Sequence, residues 1–422
     1  MALLCRVLAA ASIAEREPEE GDSADVDEEK LYRCFEMLQA MKPRIANAQP
    51  KTVRQLRRPT KFASPRKFAY TLGKMTHAET LGVALGEQPL TVGGLAISGR
   101  AFLAPMAGVT DAAMRRIAER HGAGATFSEM ITAAGVSRGD RETRLRLAGA
   151  REPQTAPRVV QIAARDPEGI ALAARHAAET GAGWIDINMG CPCKRVTGGL
   201  AGSALMRDLD QASRLIAATV SAVEIPVSVK MRLGWDHASL NAPELARRAE
   251  AEGAGLVTVH GRTRQQFYNG SADWAAIKAV KQAVRIPVVA NGDCDSPHAA
   301  REMLRLSNAD AVMVGRAAIG RPWLVGDIAH YLAAGRLRPP PSRAERGALA
   351  LEHLESLIAA MGQGPGLRHA RKHLAAYADH AGVGRREEEL APRRALVVSD
   401  EPREVRRLIE HLFAIPEREE AA

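Results

Sequence analysis

Between residues 101 and 317 the chain repeats one unit, a short apolar run rich in β-branched residues followed by a stretch of helical period. The runs are AFLAPMA (101–107), TFSEM (126–130), RVVQIAA (158–164), WIDINMG (184–190), IPVSVKMR (225–232), GLVTVHGR (255–262), IPVVANGD (286–293) and AVMVGRA (311–317). Segments such as DAAMRRIAERHGAG and DPEGIALAARHAAETGAG separate them. Several of these end in glycine, which takes the left-handed conformation after a helix at little cost, while Asp111 and Asp166-Pro167 read as helix starts. Eight β-α units in series, with strands apolar on both faces, are what a closed parallel barrel requires. The expected fold is therefore α/β, a (β/α)8 TIM barrel followed by a smaller C-terminal helical domain. A doubly wound open sheet is the rival, and the strand count and near-even spacing disfavour it.

A chain of 422 residues exceeds one ordinary domain. Residues 1–74 read as a flexible extension, acidic over 15–29 and then basic and proline-bearing over 43–74. It is either an additional nucleic-acid tether or the product of an upstream start codon. The smooth run from Met75 into the core favours the second. Residues 75–337 form the expected barrel. Past the proline-rich stretch RPPPSRAERG, residues 338–422 form the helical domain. A formal net charge of +9 suits a polyanionic partner. Five scattered cysteines, an odd number without a C-x-x-C pair, argue against a secreted disulfide scaffold and against structural zinc. No metal is expected. No apolar run approaches the ~20 residues needed to span a bilayer. The opening MALLCRVLAAASIA lacks a basic start and is broken by Arg6, so the expected compartment is the cytoplasm, with no membrane.

Barrel chemistry sits at the carboxyl ends of the strands, and the polar residues collect there. They are Met106-Ala107, Glu129, Gln161, Asn188, Lys230 with Arg232, His260 with Arg262, Asn291-Gly292-Asp293 and Gly315-Arg316. Glycine-containing turns after the seventh and eighth strands are where such barrels hold a phosphate on backbone N–H groups, with Arg316 as a cationic fork. Lys230 ends a buried strand, either to form a Schiff base or to stabilise negative charge on a cofactor ring. Cys191 follows the fourth strand on a turn that Pro192 and the flanking glycines keep from burial. A thiol with a pKa of ~8.5 is mostly protonated at neutral pH, able to donate a proton as well as attack. Cys193 reads as incidental, against a C-x-C metal or redox pair.

These residues, in this order, resemble the tRNA-dihydrouridine synthases, most of all the bacterial B-type subgroup. The resemblance is carried by LAPMAGVTD, FSEM, QIAA, DINMGCP, VKMRLGW, HGRTR, ANGD and VGRAAIGRPW, over about residues 100–320. It implies an FMN-binding barrel followed by helices that grip tRNA, with NADPH as reductant and no obligatory protein partner. Pro105, Met106 and Ala107 would line the flavin, and Gln161, Lys230 and His260 would contact it. Asn291, Gly292, Asp293, Gly315 and Arg316 would hold its phosphate end. Cys191 would protonate C5 of a uracil that receives hydride at C6, and Asn188 would help to place that base. Lys194 and Arg195, with Arg368, Arg371 and Lys372 sharing one helical face, are the expected tRNA contacts. The alternative is an FMN barrel dehydrogenase for a free pyrimidine or another small molecule. The resemblance covers neither residues 1–74 nor, except loosely, residues 387–415.

Overall fold

The computed structural model describes residues 89–147 and 156–414. The expectations for residues 1–74, including the start at Met75, lie outside the described residues. Eight parallel strands close into a barrel: β1 (Ala101–Leu103), β2 (Ala125–Phe127), β3 (Arg158–Ala163), β4 (Trp184–Met189), β5 (Val227–Arg232), β6 (Leu256–His260), β7 (Val288–Asn291) and β8 (Ala311–Val314). Each pairs in parallel with its sequence neighbours, β8 pairs with β1, and β2 pairs with β3 past the short strand Ile131–Thr132 that also lies on β3. All eight fall on the apolar runs, and closure excludes the open-sheet rival.

Alternation along the strands sorts side chains into two packings. Leu103, Val160, Ile162, Ile185, Ile187, Val229 and Val257 point outward and are fully buried under the helices. Phe102, Phe127, Trp184, Val159, Leu256, Val289 and Met313 point inward and fill the lower barrel. With so few aromatics in the chain, three of them meet here, Trp184 standing edge-on to Phe127 with ring centroids 5.3 Å apart. An antiparallel hairpin, Leu90–Val92 with Leu95–Ile97, adds Leu90, Val92 and Ile97 to that same cluster. The lower barrel is thus a solid plug, and the chemistry is confined to the opposite rim.

Helix α1 (Ala112–Arg120) is capped by Asp111, whose side chain accepts from the Met114 N–H. The Asp166 start is also as expected, with Pro167 in the first turn of its helix. The chain then forms α2 (Arg343–Met361), α3 (Gln363–His380), α4 (Glu387–Val398) and α5 (Pro402–Ala414). They share a core of Leu354, Leu357, Leu374, Leu396, Val405 and Phe413 that also takes in Ile117 of α1 and Trp323. The helices therefore pack directly on the barrel. No helix among the described residues is long and apolar enough to cross a membrane.

Candidate active site

Strand register builds the rim. Asn188 lies beside Lys230, Arg232 beside His260, and His260 beside Asn291. Because side chains alternate, residues two positions below these also face inward, and they carry a buried polar network. Trp184 donates to the Ser228 hydroxyl (2.9 Å), which donates to one oxygen of Asp186 (2.5 Å). The other oxygen accepts from Gln161 Nε2 (2.7 Å), and Gln161 Oε1 accepts from Asn188 Nδ2 (2.8 Å). Asn188 Oδ1 then accepts from the backbone N–H groups of Gly190 and Cys191, at 3.1 and 2.9 Å. A chain of bonds runs from the barrel plug to the cysteine loop. Asp186 is buried, which pushes its carboxyl up to about 6.

Cys191 is held from the other side as well, its carbonyl accepting from the Ser203 N–H and hydroxyl at 3.1 and 2.8 Å. The thiol is half-buried, and burial raises its pKa. Cys193 is exposed and Cys294 is buried. Arg232 donates to Gly190 O (2.8 Å) and to Thr263 O and Phe267 O, tying the cysteine loop to the loop after β6. Lys230 Nζ donates to Asn291 Oδ1 at 3.1 Å, and Asn291 Nδ2 donates to Met313 O. Burial and the neighbouring Arg232 push Lys230 down. His260 is held neutral by burial and by the surrounding Lys230, Arg232, Arg262 and Arg316.

The turn after β7 has two consecutive residues at positive φ, Gly292 (+116°) and Asp293 (+57°). A Cβ on Gly292 would come within 2.8 Å of the His260 ring, so glycine keeps this corner open. The Asp293 carboxylate does not face the mouth as a free charge. Arg262 grips both its oxygens at 3.0 and 2.7 Å, the Ala272 N–H binds one, and Arg316 lies 3.4 Å away. Gly315 leaves space beside Met106, whose sulfur would lie 3.8 Å from an added Cβ. Pro105 and Met106 are half-buried and Ala107 is exposed on the loop after β1. Glu129 accepts from the Gly108 N–H of that loop.

The basic residues divide. Lys194 and Arg195 are exposed on the short helix Lys194–Thr197 beside Cys191. Arg368, Arg371 and Lys372 do not form one free face. Arg368 is exposed, but Arg371 is turned to Val398 O, Ser399 O and the Asp400 carboxylate, and Lys372 Nζ turns inward to 3.5 Å from His369 Nε2. Spacing puts the three on adjacent helix positions, and the neighbours of α3 decide where each side chain ends. Sequence reasoning passed over Asp186, Ser228 and Tyr268. The first two were signalled by period-two spacing from Asn188 and Lys230. Tyr268, exposed and with Arg316 4.9 Å from its ring centre, carried no comparable signal.

Barrel and rim together define a parallel-barrel enzyme whose chemistry lies at the carboxyl ends of its strands. The family model described as Dihydrouridine synthase (Dus) matches residues 102–400, and the chain belongs to that family. It is similar to a probable tRNA-dihydrouridine synthase of Rhizobium leguminosarum bv. phaseoli, 47% identical over 75% of this chain and 96% of the relative. It is also similar to tRNA-dihydrouridine synthase B of Xanthomonas campestris pv. campestris, 50% identical over 69% of this chain and 87% of the relative. Among solved structures, histamine dehydrogenase from Rhizobium sp. 4-9 is similar over 65% of this chain and 50% of its own, with TM-score 0.47 and 14% identity. Family membership makes the chain a flavin-dependent oxidoreductase with tRNA as substrate, and decides against the free-pyrimidine alternative.

Proposed function

We propose that the chain reduces the C5–C6 bond of a uridine in tRNA, with FMN as its flavin, NADPH as reductant and Cys191 as proton donor. The rim fits FMN. The open corner at Gly292 and the cationic surroundings of His260 suit an anionic phosphate end, which Asn291, Gly292, Asp293, Gly315 and Arg316 would hold. Pro105, Met106 and Ala107 would line the ring, with Gln161, Lys230 and His260 along its polar edge. When bound and reduced, the flavin supplies the hydride that C6 accepts.

The chain's own groups do the rest. Burial keeps the Cys191 thiol protonated, so Sγ–H has a proton to give to C5. Asn188 acts by orienting the cysteine loop, since its amide oxygen already serves two backbone N–H groups, and one remaining N–H is left for the base. Lys230 places positive charge where negative charge gathers on the ring edge. Arg262 neutralises Asp293 so that its carboxylate does not oppose the phosphate. A uridine must leave its stack to reach Cys191. Lys194 and Arg195 beside the thiol, and the exposed Arg368 on α3, would hold the surrounding phosphates, while Arg371 and Lys372 are turned to protein partners. On this reading residues 75–337 carry catalysis, residues 338–422 grip tRNA, and the enzyme works in the cytoplasm.

The observation that carries the reading is the half-buried Cys191 at the rim, its backbone N–H held by Asn188 and its carbonyl by Ser203, next to Lys230's strand. Cys191→Ala should retain FMN and oxidise NADPH slowly while forming no dihydrouridine in tRNA. Wild-type product levels would remove the assigned role.

A further inference from the structure

We propose that Asp111, His353, His369 and His373 form a divalent transition-metal site of the zinc type, joining the barrel to the helical bundle. The four come from three elements: Asp111 caps α1, His353 lies on α2, and His369 and His373 sit four residues apart on one face of α3. Asp111 Oδ2 is 3.1 Å from His353 Nε2, 3.3 Å from His373 Nε2 and 3.8 Å from His369 Nε2. A tetrahedron with metal–ligand bonds of about 2.0–2.1 Å has edges of about 3.3–3.4 Å. Measured from Asp111 Oδ2, each imidazole nitrogen thus lies within a few tenths of an ångström of one tetrahedral edge, His353 as a fourth donor beside the group of three. Among the described residues, Asp111, His369 and His373 are the one group of three or more such donors with all ligand atoms within 4.8 Å of one another.

Hydrogen bonding alone accounts poorly for the cluster. Asp111 Oδ1 is engaged by the Met114 N–H at 3.0 Å and by His353 Nε2 at 3.2 Å. His373 is 1% exposed; its Nε2 lies 3.3 Å from Asp111 Oδ2, and its Nδ1 has no hydrogen-bond partner among the described residues. A neutral imidazole carries one proton, so if it sits on Nδ1 the Nε2 lone pair faces the carboxylate, an arrangement that a cation between them would relieve. His353 shows the arrangement common to metal-bound histidines, with Nδ1 3.4 Å from the Tyr377 hydroxyl and Nε2 turned to the centre. Lys372 opposes a cation here, and its flexible stem must carry Nζ away from His369 on binding. The N-cap of α1 lies one residue beyond the loop after β1, so a metal would fix that edge of the rim to α2 and α3.

The test uses the full chain without a histidine tag, stripped with chelator and titrated with Co2+ alone. We expect one Co2+ per chain, visible bands of tetrahedral cobalt, no thiolate charge-transfer band in the near ultraviolet, and displacement by one equivalent of Zn2+. His369→Ala, at a half-buried position, should stay folded by circular dichroism and bind at least about 100-fold more weakly. Tyr377→Phe should weaken binding about 10–100-fold, as loss of an outer partner does. Absence of saturable uptake by the folded wild-type chain would overturn the proposal. So would a charge-transfer band reporting cysteine ligation, or wild-type affinity in folded His369→Ala.

Discussion

At the scale of the residue, the Cys191 thiol lies half-buried under the rim, and burial raises its pKa against the opposing pull of Arg232 and Lys230. The working form of a proton donor is the protonated one, so activity is present below the folded pKa and lost as pH rises through it. Single-turnover dihydrouridine formation should therefore stay level through about pH 8.5, the range of an unperturbed thiol, and decline only above it. A decline centred below that range would mean that the thiol is activated as a nucleophile. Asp186 shows the same physics from the other side. It faces a low-dielectric interior with Ser228 and Gln161 as partners, and burial raises its pKa too. Both groups owe their behaviour to where the strand ends leave them.

Among elements, the contact between the end of the barrel and α3 is set by one glycine. Gly320 has φ +72°, and a Cβ there would stand 2.3 Å from the Ala376 carbonyl carbon and 2.6 Å from the Tyr377 nitrogen. The backbone of residue 320 therefore lies directly on α3, with Trp323 and Tyr377 ring centroids 6.1 Å apart beside it. Gly320→Ala meets both an unfavourable left-handed conformation and overpacking. It should cost at least about 2 kcal/mol, read as a lower urea midpoint. Wild-type stability in that variant would show that α3 moves away easily and that the close approach is not a constraint.

For the whole molecule, the net charge of +9 meets a polyanionic substrate, and binding by phosphate neutralisation must weaken as salt rises. Each neutralised phosphate contributes roughly 0.7–0.9 to the slope of log affinity against log salt. If Lys194 and Arg195 each hold one phosphate, replacing both by alanine should reduce that slope by roughly 1.4–1.8. Filter binding of tRNA across a salt series measures it, and an unchanged slope would remove both residues from the interface. Arg371 should behave differently, because its guanidinium is already engaged with Asp400 and the carbonyls of residues 398 and 399.

The barrel was legible in the sequence because each strand is apolar on both faces, a pattern that only burial between a plug and a shell of helices satisfies. The rim was legible for a related reason: a polar residue at the end of such a run has only the mouth to face. Local sequence thus determined the eight strands, the caps at Asp111 and Asp166, and the positions of Asn188, Cys191, Lys230 and His260. Orientation was another matter. Nothing near Arg371 in sequence says that it will turn to Asp400, and nothing near Asp111 says that His353 will arrive from 242 residues away. Those outcomes depend on how α2 and α3 pack on α1, which is settled by long-range burial of side chains such as Ile117, Trp323 and Leu354, and by no local propensity.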